Sequence, residues 1–340
     1  MMRQWVLANR PDGIARTSDF AMQEAPIPTP DEGQVLLKTQ YLGVAPVMLR
    51  YMNNETFFER PLEIGDVMHG RGVGIVVASR NSSFKEGDIV QCKLGWREYA
   101  LIDDDSYYMP FIMKQTDLPW SYGVSALAMS GFTALLGLRD ICNLKKGEHV
   151  LVSGAAGGVG SQVAFIAKSL GCEQVVGIAG GKKKCHLLTD RLAYDDSIDY
   201  KGEDFERQLN SAMPNGINVF FDNVGGEMLD TVMGHVLRRG RIAICGRISE
   251  YLKAPDECHR PRNFYLVGLN DLKLEGFFIY NYQERFRDYE STLAHWIRSG
   301  AFHPLEDILH GLEKMPDALI GLYEGTNCGV RVVQIDPDAR

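Results

Sequence analysis

The chain lacks the long apolar runs and the excess of positive charge that several large classes of protein need. No stretch of about 18 consecutive apolar residues occurs, and the segment Met1–Trp5 does not open the apolar run of a secretory signal. Acidic residues outnumber basic ones, 44 to 36, which gives a formal net charge of -8. Such a surface does not suit nucleic-acid phosphates or anionic membranes, so we expect a cytoplasmic protein with small-molecule partners.

Cysteine is sparse and scattered. The seven cysteines are an odd number and include no Cys-x-x-Cys pair. This spacing does not suit a disulfide framework or a structural zinc site, since both need paired or clustered thiols. We therefore expect reduced and mostly buried thiols.

Two kinds of pattern divide the chain. Residues up to about 125 contain short β-type runs such as Gln34–Thr39 and Gly74–Val77, separated by Gly, Pro, Asp and Asn. From Glu148 onward, apolar strands alternate with helix-length amphipathic segments, which indicates an α/β fold with a parallel sheet covered by helices on both faces. The strands predicted for this part are His149–Ser153, Gln174–Ala179, Asn218–Asp222, Arg241–Cys245 and Lys273–Ile279. The helices predicted between them are 161–170, 183–192, 203–212 and 226–239.

The strongest local signal is a glycine-rich turn after the first of these strands. The segment Ser153–Ser161 contains Gly154, Gly157, Gly158 and Gly160 and leads into a helical pattern. Glycines allow a tight turn and a close approach of the backbone to a pyrophosphate, which then faces the N–H groups and the positive end of the helix. A glycine turn alone is also consistent with a plain strand–helix connection, but its place at the first of four βα units favours dinucleotide binding.

The end of the second strand indicates which dinucleotide is bound. Enzymes that use NAD usually place Asp or Glu there, about 20 residues past the loop, to bind the ribose 2′-hydroxyl. The segment Ile178–Lys184 has no acid and ends in three lysines. A charge-assisted hydrogen bond to a 2′-phosphate contributes about 1.5–3 kcal/mol, so one well-placed lysine is sufficient for roughly tenfold preference or better. The sequence therefore predicts NADPH, while for at least one lysine an exposed basic helix start is the simpler interpretation.

Six segments, in combination and order, resemble a known family over essentially the whole chain. They are Ser130–Ala134, Ser153–Ser161, Phe221–Gly226, Cys245–Tyr251, Glu275–Ile279 and Gly325–Gly329. The family comprises the zinc-independent medium-chain dehydrogenases/reductases that include prostaglandin/leukotriene reductases, plant alkenal double-bond reductases and bacterial curcumin reductases. The resemblance implies a GroES-like β-rich domain made of residues 1–127 and 306–340. It also implies a Rossmann domain made of residues 128–305, with the cofactor in the cleft between the two domains.

The resemblance also implies a set of cofactor contacts. Lys184 corresponds to the family's 2′-phosphate lysine and Tyr200 to its adenosine-side partner, while Asn223 corresponds to a residue near the ribose. The segment Cys245–Tyr251 is expected beside the nicotinamide, and Phe277–Ile279 is expected as a strand that contacts its carboxamide. The full set is Gly157, Gly158, Val159, Gly160, Lys184, Tyr200, Asn223, Cys245, Gly246, Ile248, Ser249, Tyr251, Phe277, Phe278, Ile279 and Asn327. Tyr200 and Phe277 are also consistent with plain core aromatics, and Asn223 with a turn former.

The sequence lacks the metal ligands with which zinc alcohol dehydrogenases polarise an oxygen. The corresponding stretch Gly43–Val47 contains no cysteine, and His69, next to Gly70 and Arg71, is more simply a strand-end histidine. Without a Lewis acid, conjugate reduction is the easier task, because an enone accepts hydride at its β carbon and spreads the charge into an enolate. We therefore predict a metal-free, NADPH-dependent reductase of α,β-unsaturated aldehydes and ketones. Tyr251 is the predicted hydrogen-bond donor to the developing oxygen charge; a tyrosine that only packs or bonds the ribose is the alternative.

The predicted substrate pocket departs from the family pattern. Family members carry Ser-Val-Asp-Pro-Tyr-Met-Arg after the first long strand, and here Val47 replaces the pocket tyrosine. Candidates for lining a changed apolar pocket are Tyr41, Val47, Met48, Tyr51 and Met129, each also consistent with ordinary core. A quinone reductase is the nearest alternative, since the resemblance includes zinc-free relatives that use the same glycine-rich loop and hydride donor on quinones. The departure at Val47 leaves a non-catalytic NADPH-binding protein as a further alternative. The resemblance further implies a homodimer, for which Leu272–Phe278 offers a sheet edge.

Overall fold

The computed structural model describes residues 1–53, 60–105, 107–254 and 256–340. In chain order its strands are β1 (Met2–Leu7), β2 (Phe20–Ala25), β3 (Val35–Gly43), β4 (Arg71–Ser79), β5 (Ile89–Lys93), β6 (Tyr99–Ile102), β7 (Phe111–Ile112), β8 (His149–Val152), β9 (Gln174–Ala179), β10 (Asp196–Asp199), β11 (Ile217–Asp222), β12 (Val236–Ile244), β13 (Lys273–Gly276), β14 (Glu306–His310) and β15 (Val330–Gln334). Its α-helices are α1 (Met48–Tyr51), α2 (Met129–Leu135), α3 (Gly160–Ser169), α4 (Lys182–Arg191), α5 (Phe205–Ala212), α6 (Gly226–Met233), α7 (Leu266–Leu269), α8 (Phe286–Arg298) and α9 (Met315–Glu324). A π-helical segment spans Leu136–Ile141, and 3₁₀ turns span Thr17–Asp19, Trp120–Val124, Ile248–Glu250, Ile279–Arg285 and Leu312–Lys314.

The chain forms two compact units, and the first combines Met1–Ala128 with Glu306–Arg340. Its main sheet has the order β14-β15-β3-β4-β5-β7, with β6 also paired to β3, and β1 and β2 form a separate antiparallel pair. The strand β15, close to the end of the chain, lies antiparallel to β3, with Val332 opposite Gly43. Buried side chains such as Leu37, Leu42 and Trp96 form the core of this unit. The β-rich character predicted for the first part of the chain is confirmed.

The second unit, Met129–Leu305, is built on a six-stranded sheet. Its order is β10-β9-β8-β11-β12-β13, and every neighbouring pair is parallel. The strand order reverses between β8 and β11, and in doubly wound folds ligands bind at the carboxyl ends of the strands at such a point. Apolar side chains that include Leu151, Val176 and Phe220 fill the core between sheet and helices. The predicted doubly wound parallel sheet is therefore confirmed.

The structure departs most from the predicted elements at three places. The strand β10 was missed because Asp196–Asp199 contains a single buried apolar side chain, Ile198, as an edge strand permits. The predicted helix 226–239 is wrong beyond Met233: the helix ends at Gly234, and β12 begins at Val236 and contains an irregularity where Arg239 takes a φ of +63°. The predicted strand Lys273–Ile279 ends at Gly276, so Phe277–Ile279 are not a strand.

The cysteines are unpaired in the structure, and most of their side chains are shielded from solvent at least in part. All seven cysteines are free; Cys92, Cys142 and Cys185 are buried and the other four are half-buried. Burial raises the pKa of the Cys92 and Cys142 thiols to about 12. Within the described residues, none of the helices combines the length and the apolarity that crossing a lipid bilayer requires.

Candidate functional site

The glycine-rich turn lies between β8 and the first turn of α3. Gly154 has a φ of +59°, in the region that favours glycine, and begins the turn. A Cβ on Gly160 would overlap the Gly154 carbonyl oxygen and would lie 2.7 Å from the Ala155 Cα, so no side chain fits there. A Cβ on Gly158, in contrast, would meet nothing within 4 Å. The turn therefore combines a tight backbone crossing with open space over Gly158 at the positive end of a helix, which suits a phosphate group.

A second contact ties this turn to the next βα unit. Tyr194, which is almost fully buried, donates a hydrogen bond from its hydroxyl to the Gly160 carbonyl at 2.6 Å. The ring of Tyr194 reaches this position because Gly177 on β9 has no side chain; a Cβ there would lie 3.0 Å from the tyrosine ring. The start of α3 is therefore held from the side as well as by its own backbone.

The end of β9 carries the basic residues predicted to select NADPH. Lys182 and Lys183 are exposed, whereas Lys184 is half-buried. Asp199, the nearby acid, accepts backbone hydrogen bonds from Gly181 at 2.7 Å and from Lys201 at 3.0 Å. Its Oδ1 is thus engaged with the main chain, as a turn carboxylate often is. Lys184 thus differs from the other two lysines in being half-buried, and its contact with a 2′-phosphate stays a prediction.

Tyr200 lies against the same strand end. A Cβ on Gly180 would stand 2.8 Å from the Tyr200 ring, so the absence of a side chain at Gly180 lets the ring pack on the backbone. The ring is 47% exposed, and the Lys201 Nζ lies 5.9 Å from its centroid. Tyr200 is therefore not a core aromatic, and its exposed face is available to stack on a ligand.

The ends of β8 and β11 are joined by a buried polar junction. Ser153 donates its hydroxyl proton to Asp222 at 2.6 Å, and the Asn223 amide group donates to the Ser153 carbonyl at 2.7 Å. The Asp222 carboxylate also accepts the backbone N–H groups of Val224 and Gly225. Burial raises the pKa of Asp222, and these hydrogen bonds offset part of that effect. The junction fixes Asn223 at the point where the strand order reverses.

The segment from Cys245 to Tyr251 rests on this junction. Cys245 and Gly246 donate their N–H groups to the Asp222 carbonyl at 2.8 and 3.1 Å, and the Ser249 hydroxyl donates to the Val224 carbonyl at 2.7 Å. The Tyr251 hydroxyl lies 3.4 Å from the position that a Cβ on Gly246 would take. Burial raises the pKa of the Cys245 thiol to about 12, so this thiol stays protonated at neutral pH.

The residues that follow β13 are no longer paired as a strand, and their aromatic side chains make close contacts. The Phe277 ring meets Phe221 edge-on at 6.4 Å, and Gly137 makes room for both rings, since a Cβ there would overlap Phe221 and lie 3.0 Å from Phe277. This contact is the physical reason why the strand stops at Gly276. Phe278 stacks edge-on with Tyr280 at 4.9 Å, and Ile279 is buried.

The predicted cofactor residues of the second unit all lie at or just beyond the carboxyl ends of its strands. The glycine turn follows β8, Lys184 follows β9, Tyr200 follows β10 and Asn223 follows β11. Carboxyl ends of parallel strands share one edge of a sheet, so the structure brings these residues to one side of the unit. Asn327 belongs to the first unit, where it is buried and donates to the Gly329 carbonyl at 3.1 Å.

The candidates for the substrate pocket lie mainly in the first unit. Tyr41 is buried in a small cluster with Val330 and Val332. Met48 and Tyr51 on α1 are buried, and Val47 packs half-buried against the same core. Met129 opens α2 in the second unit and is half-buried. Each residue thus makes core contacts, and a pocket role for them stays a prediction.

His69 packs among aromatic side chains. The His69 ring packs edge-on against Tyr51 at 5.2 Å, and its Nδ1 lies 3.3 Å from the Tyr107 hydroxyl. In the described ranges, no three His, Cys, Asp or Glu side chains are grouped so that they could hold a metal ion. His69 therefore has ordinary side-chain contacts where it stands.

Sequence reasoning missed three residues that shape this site. Ser153 and Asp222 hold the strand ends together, and Tyr194 holds the glycine turn. Ser153 and Asp222 did stand inside matched segments, but nothing in the sequence paired them. The apolar run around Asp222 could have indicated its role in this junction, because an acid at the end of a buried strand needs several hydrogen-bond donors.

Comparisons with known proteins cover the whole chain. Two family models match it, one described as the N-terminal domain of oxidoreductase over residues 3–109 and one as zinc-binding dehydrogenase over residues 158–295. The NADPH-dependent curcumin reductase of Escherichia coli is 38% identical over 99% of this chain and 97% of its own length. The NADP⁺-dependent 2-alkenal reductase of Nicotiana tabacum is 36% identical over 98% of this chain and 97% of its own length. The crystal structure of CurA from Vibrio vulnificus in complex with NADPH has a TM-score of 0.90 at 38% identity, with 98% of this chain and 99% of that chain covered.

Proposed function

Because the chain belongs to the zinc-independent medium-chain dehydrogenase/reductase family, we propose that it is an NADPH-dependent reductase of the carbon–carbon double bond of α,β-unsaturated aldehydes and ketones. The observation that carries this proposal is the site at the strand ends of the second unit. It combines a glycine turn that leaves no room for a side chain at Gly160 with a half-buried Lys184, and the Oδ1 of the nearby Asp199 is engaged with the main chain. Relatives that span the chain from end to end are NADPH-dependent reductases by name.

The residues present fit NADPH. The space over Gly158, which a Cβ would enter, suits the pyrophosphate, and Lys184 with the exposed face of Tyr200 suits the 2′-phosphate and the adenosine. Asn223 is fixed where a ribose would be bound, and Cys245–Tyr251 would flank the nicotinamide. When bound, NADPH supplies a hydride. The chain's own task is then to orient an acceptor and to stabilise the charge that develops on it.

We assign the stabilising role to Tyr251. Hydride addition at the β carbon moves negative charge to the carbonyl oxygen, and a fixed phenol hydroxyl donates a hydrogen bond to that oxygen. The Tyr251 hydroxyl lies beside Gly246, 3.4 Å from the position that a Cβ on this glycine would take. The α carbon takes a proton to complete the reduction, and the product is the saturated carbonyl compound.

One assay tests the function as a whole. The purified protein is incubated with NADPH and a panel of alkenals, cyclic enones, aryl enones and quinones, while the loss of NADPH absorbance is followed and the products are identified by mass spectrometry. We expect saturated aldehydes and ketones. Hydroquinones alone would assign the protein to the quinone reductases, and tight NADPH binding without oxidation on any acceptor would make it a non-catalytic binding protein.

Replacing Tyr251 by phenylalanine is expected to lower kcat for enone reduction roughly 10- to 100-fold, because one hydrogen-bond donor to the developing charge is lost. The Kd for NADPH, measured by fluorescence titration, is expected to stay within about twofold, since the ring itself remains. Kinetics equal to those of the unmodified enzyme would remove Tyr251 from this role.

We also propose a homodimer that forms at the β13 edge of the parallel sheet. This strand is the outer one of its sheet, and directly before it α7 and its N-terminal flank expose Phe264, Tyr265 and Leu269 by 60% or more. Apolar side chains beside a strand edge are typical of a surface covered by a partner.

Light scattering should give about 76 kDa, twice the chain mass of 38.0 kDa. Tyr265→Asp is expected to shift the protein to the monomer mass, whereas Ile64→Asp, at an exposed apolar position of the first unit, is not. A mass of one chain at every concentration would contradict the dimer.

We further propose that the protein acts in the cytoplasm. Seven free thiols, including buried ones with raised pKa values, suit a reducing compartment. The net charge of -8 suits a protein whose partners are small molecules.

A further inference from the structure

Two buried carboxylates flank the segment that carries Tyr251. Asp230 lies on α6 and is 5% exposed, and Glu250, the residue directly before Tyr251, is 8% exposed. The Glu250 Oε1 lies 3.6 Å from the position of a Cβ on Gly226, at the first residue of α6. Gly226 and Asp230 are four residues apart and therefore lie on the same face of the helix, one turn from each other. Both carboxylates are thus placed along one side of α6.

His259 bridges these two carboxylates. Its backbone N–H donates to the Glu250 Oε1 at 2.8 Å, and its ring Nε2 lies 2.9 Å from the Asp230 Oδ2. An ionised carboxylate only accepts hydrogen bonds, so the Nε2 is the protonated ring nitrogen and donates a hydrogen bond to Asp230. One residue therefore joins the turn before Tyr251 to the body of the helix.

The Asp230 carboxylate is held in place from a third direction. The backbone N–H groups of Arg262 and Asn263 donate to it at 2.8 to 3.0 Å, and the Asn263 side chain donates to the Asp230 carbonyl at 2.9 Å. Burial raises the pKa of Asp230, but these hydrogen bonds and that of His259 outweigh it and leave the pKa below its usual value. Asp230 thus stays ionised at neutral pH and anchors the segment His259–Asn263.

The turn Ile248–Glu250 is held by polar contacts more than by apolar packing, since Arg247, Ile248 and Ser249 are exposed. On one side, the Ile248 and Ser249 N–H groups and the Ser249 hydroxyl donate to the Asn223 and Val224 carbonyls. On the other side, the Glu250 carboxylate accepts the His259 N–H at 2.8 Å and lies 3.9 Å from the Arg247 guanidinium. A displacement of about 1 Å at a catalytic group can lower the rate by up to about 100-fold. The contacts that hold the turn directly before Tyr251 therefore affect kcat.

We propose that His259 is a positioning residue for Tyr251, which it holds in place by bridging Glu250 to Asp230. The inference rests on the proposed function, in which the Tyr251 hydroxyl bonds the acceptor oxygen. His259 touches neither acceptor nor cofactor in this role. Its contribution passes through the backbone of Glu250 to the next residue.

The test is a double-mutant cycle measured on the full-length enzyme with NADPH and an enone that it reduces. His259→Ala is expected to lower kcat about tenfold and to leave the Kd for NADPH within about twofold. In the Tyr251→Phe background the same change is expected to cost less than about twofold, because residues that act through one another are not additive. His235→Ala is the matched control: this half-buried histidine lies on the same unit, with its Nδ1 3.1 Å from the Asn210 Oδ1, and its loss is expected to leave kcat unchanged in both backgrounds.

A second pair of variants covers the case in which His259→Ala does not fold. Glu250→Gln keeps an acceptor oxygen for the His259 N–H and is expected to retain most of kcat, whereas Glu250→Ala is expected to lose about tenfold. The proposal is overturned if His259→Ala costs the same factor with and without the Tyr251 hydroxyl, or if Glu250→Gln and Glu250→Ala lose equally. If Tyr251→Phe alone keeps full turnover, the catalytic role of Tyr251 fails in that single variant, and the positioning role falls with it. The two failures are thus read from different variants.

Discussion

Gly160→Ala is expected to abolish NADPH binding at micromolar concentrations, with a rise in Kd of about 100-fold or more. A Cβ at this position would overlap the Gly154 carbonyl oxygen and lie too close to the Ala155 Cα. Both are backbone atoms, so a change of side-chain rotamer cannot relieve the overlap. Overpacking of this kind typically costs about 1–3 kcal/mol of folding free energy, so the melting temperature should also fall. Calorimetric titration with NADPH and thermal unfolding monitored by circular dichroism measure the two effects.

Gly158→Ala separates binding from folding within the same turn. A Cβ on Gly158 meets nothing within 4 Å of protein, so the melting temperature should not change, while NADPH should bind more weakly because the methyl group enters the space assigned to the pyrophosphate. Gly268→Ala, on α7 and equally open, is the control for a neutral glycine substitution. If Gly158→Ala bound NADPH as tightly as the unmodified protein, the pyrophosphate would have to lie elsewhere.

Lys184→Glu is expected to reverse the choice of dinucleotide, with the ratio of NADPH to NADH affinity falling about 100- to 1000-fold. The variant loses a charge-assisted hydrogen bond of about 1.5–3 kcal/mol and adds repulsion between two anions at short range. NADH has no 2′-phosphate, so its Kd should change little. Kd values for both dinucleotides, measured at the same ionic strength, give the ratio directly, since screening by salt would otherwise blur it.

Lys182→Glu is the matched control for the charge change. It alters the net charge of the chain and of the first turn of α4 by the same amount, but Lys182 is exposed whereas Lys184 is half-buried. We expect a change of less than about threefold in the ratio, of the size that a solvent-exposed charge produces. Equal losses for Lys182→Glu and Lys184→Glu would mean that the cluster acts only as a diffuse positive field.

The parallel sheet was predictable because strands that are buried on both faces of a sheet are apolar runs in the sequence. The strand β9 begins and ends at the predicted residues, since Val175–Ala179 is a continuous apolar run that Gly180 and Gly181 follow. The strand β10 was not predictable in the same way, because an edge strand needs only one buried side chain. The end of β13 at Gly276 depends on the contact of Phe277 with Phe221, which is 56 residues away in the sequence. No local pattern contains that contact.

In the candidate site, too, some residues could be predicted from the sequence and others could not. The glycine turn and Lys184 were predictable because their chemistry depends on residue type and on order along the chain. The His259 bridge and the Ser153–Asp222 junction were not, because each pairs residues from separate strand–helix units. A histidine in a loop is compatible with several roles, and only the fold shows that His259 lies between two carboxylates. The predicted contacts of the remaining cofactor residues stay predictions until a complex is measured.

The hydrogen bond from Tyr194 to the Gly160 carbonyl links the two segments that we propose to hold the two phosphate positions of the dinucleotide. Tyr194 follows α4, the helix that carries Lys184, while Gly160 opens the helix proposed to face the pyrophosphate. We expect occupation of one position to favour occupation of the other through this link. The two halves of NADPH should bind together more tightly than the sum of separate fragments, such as 2′,5′-ADP and nicotinamide mononucleotide, would give.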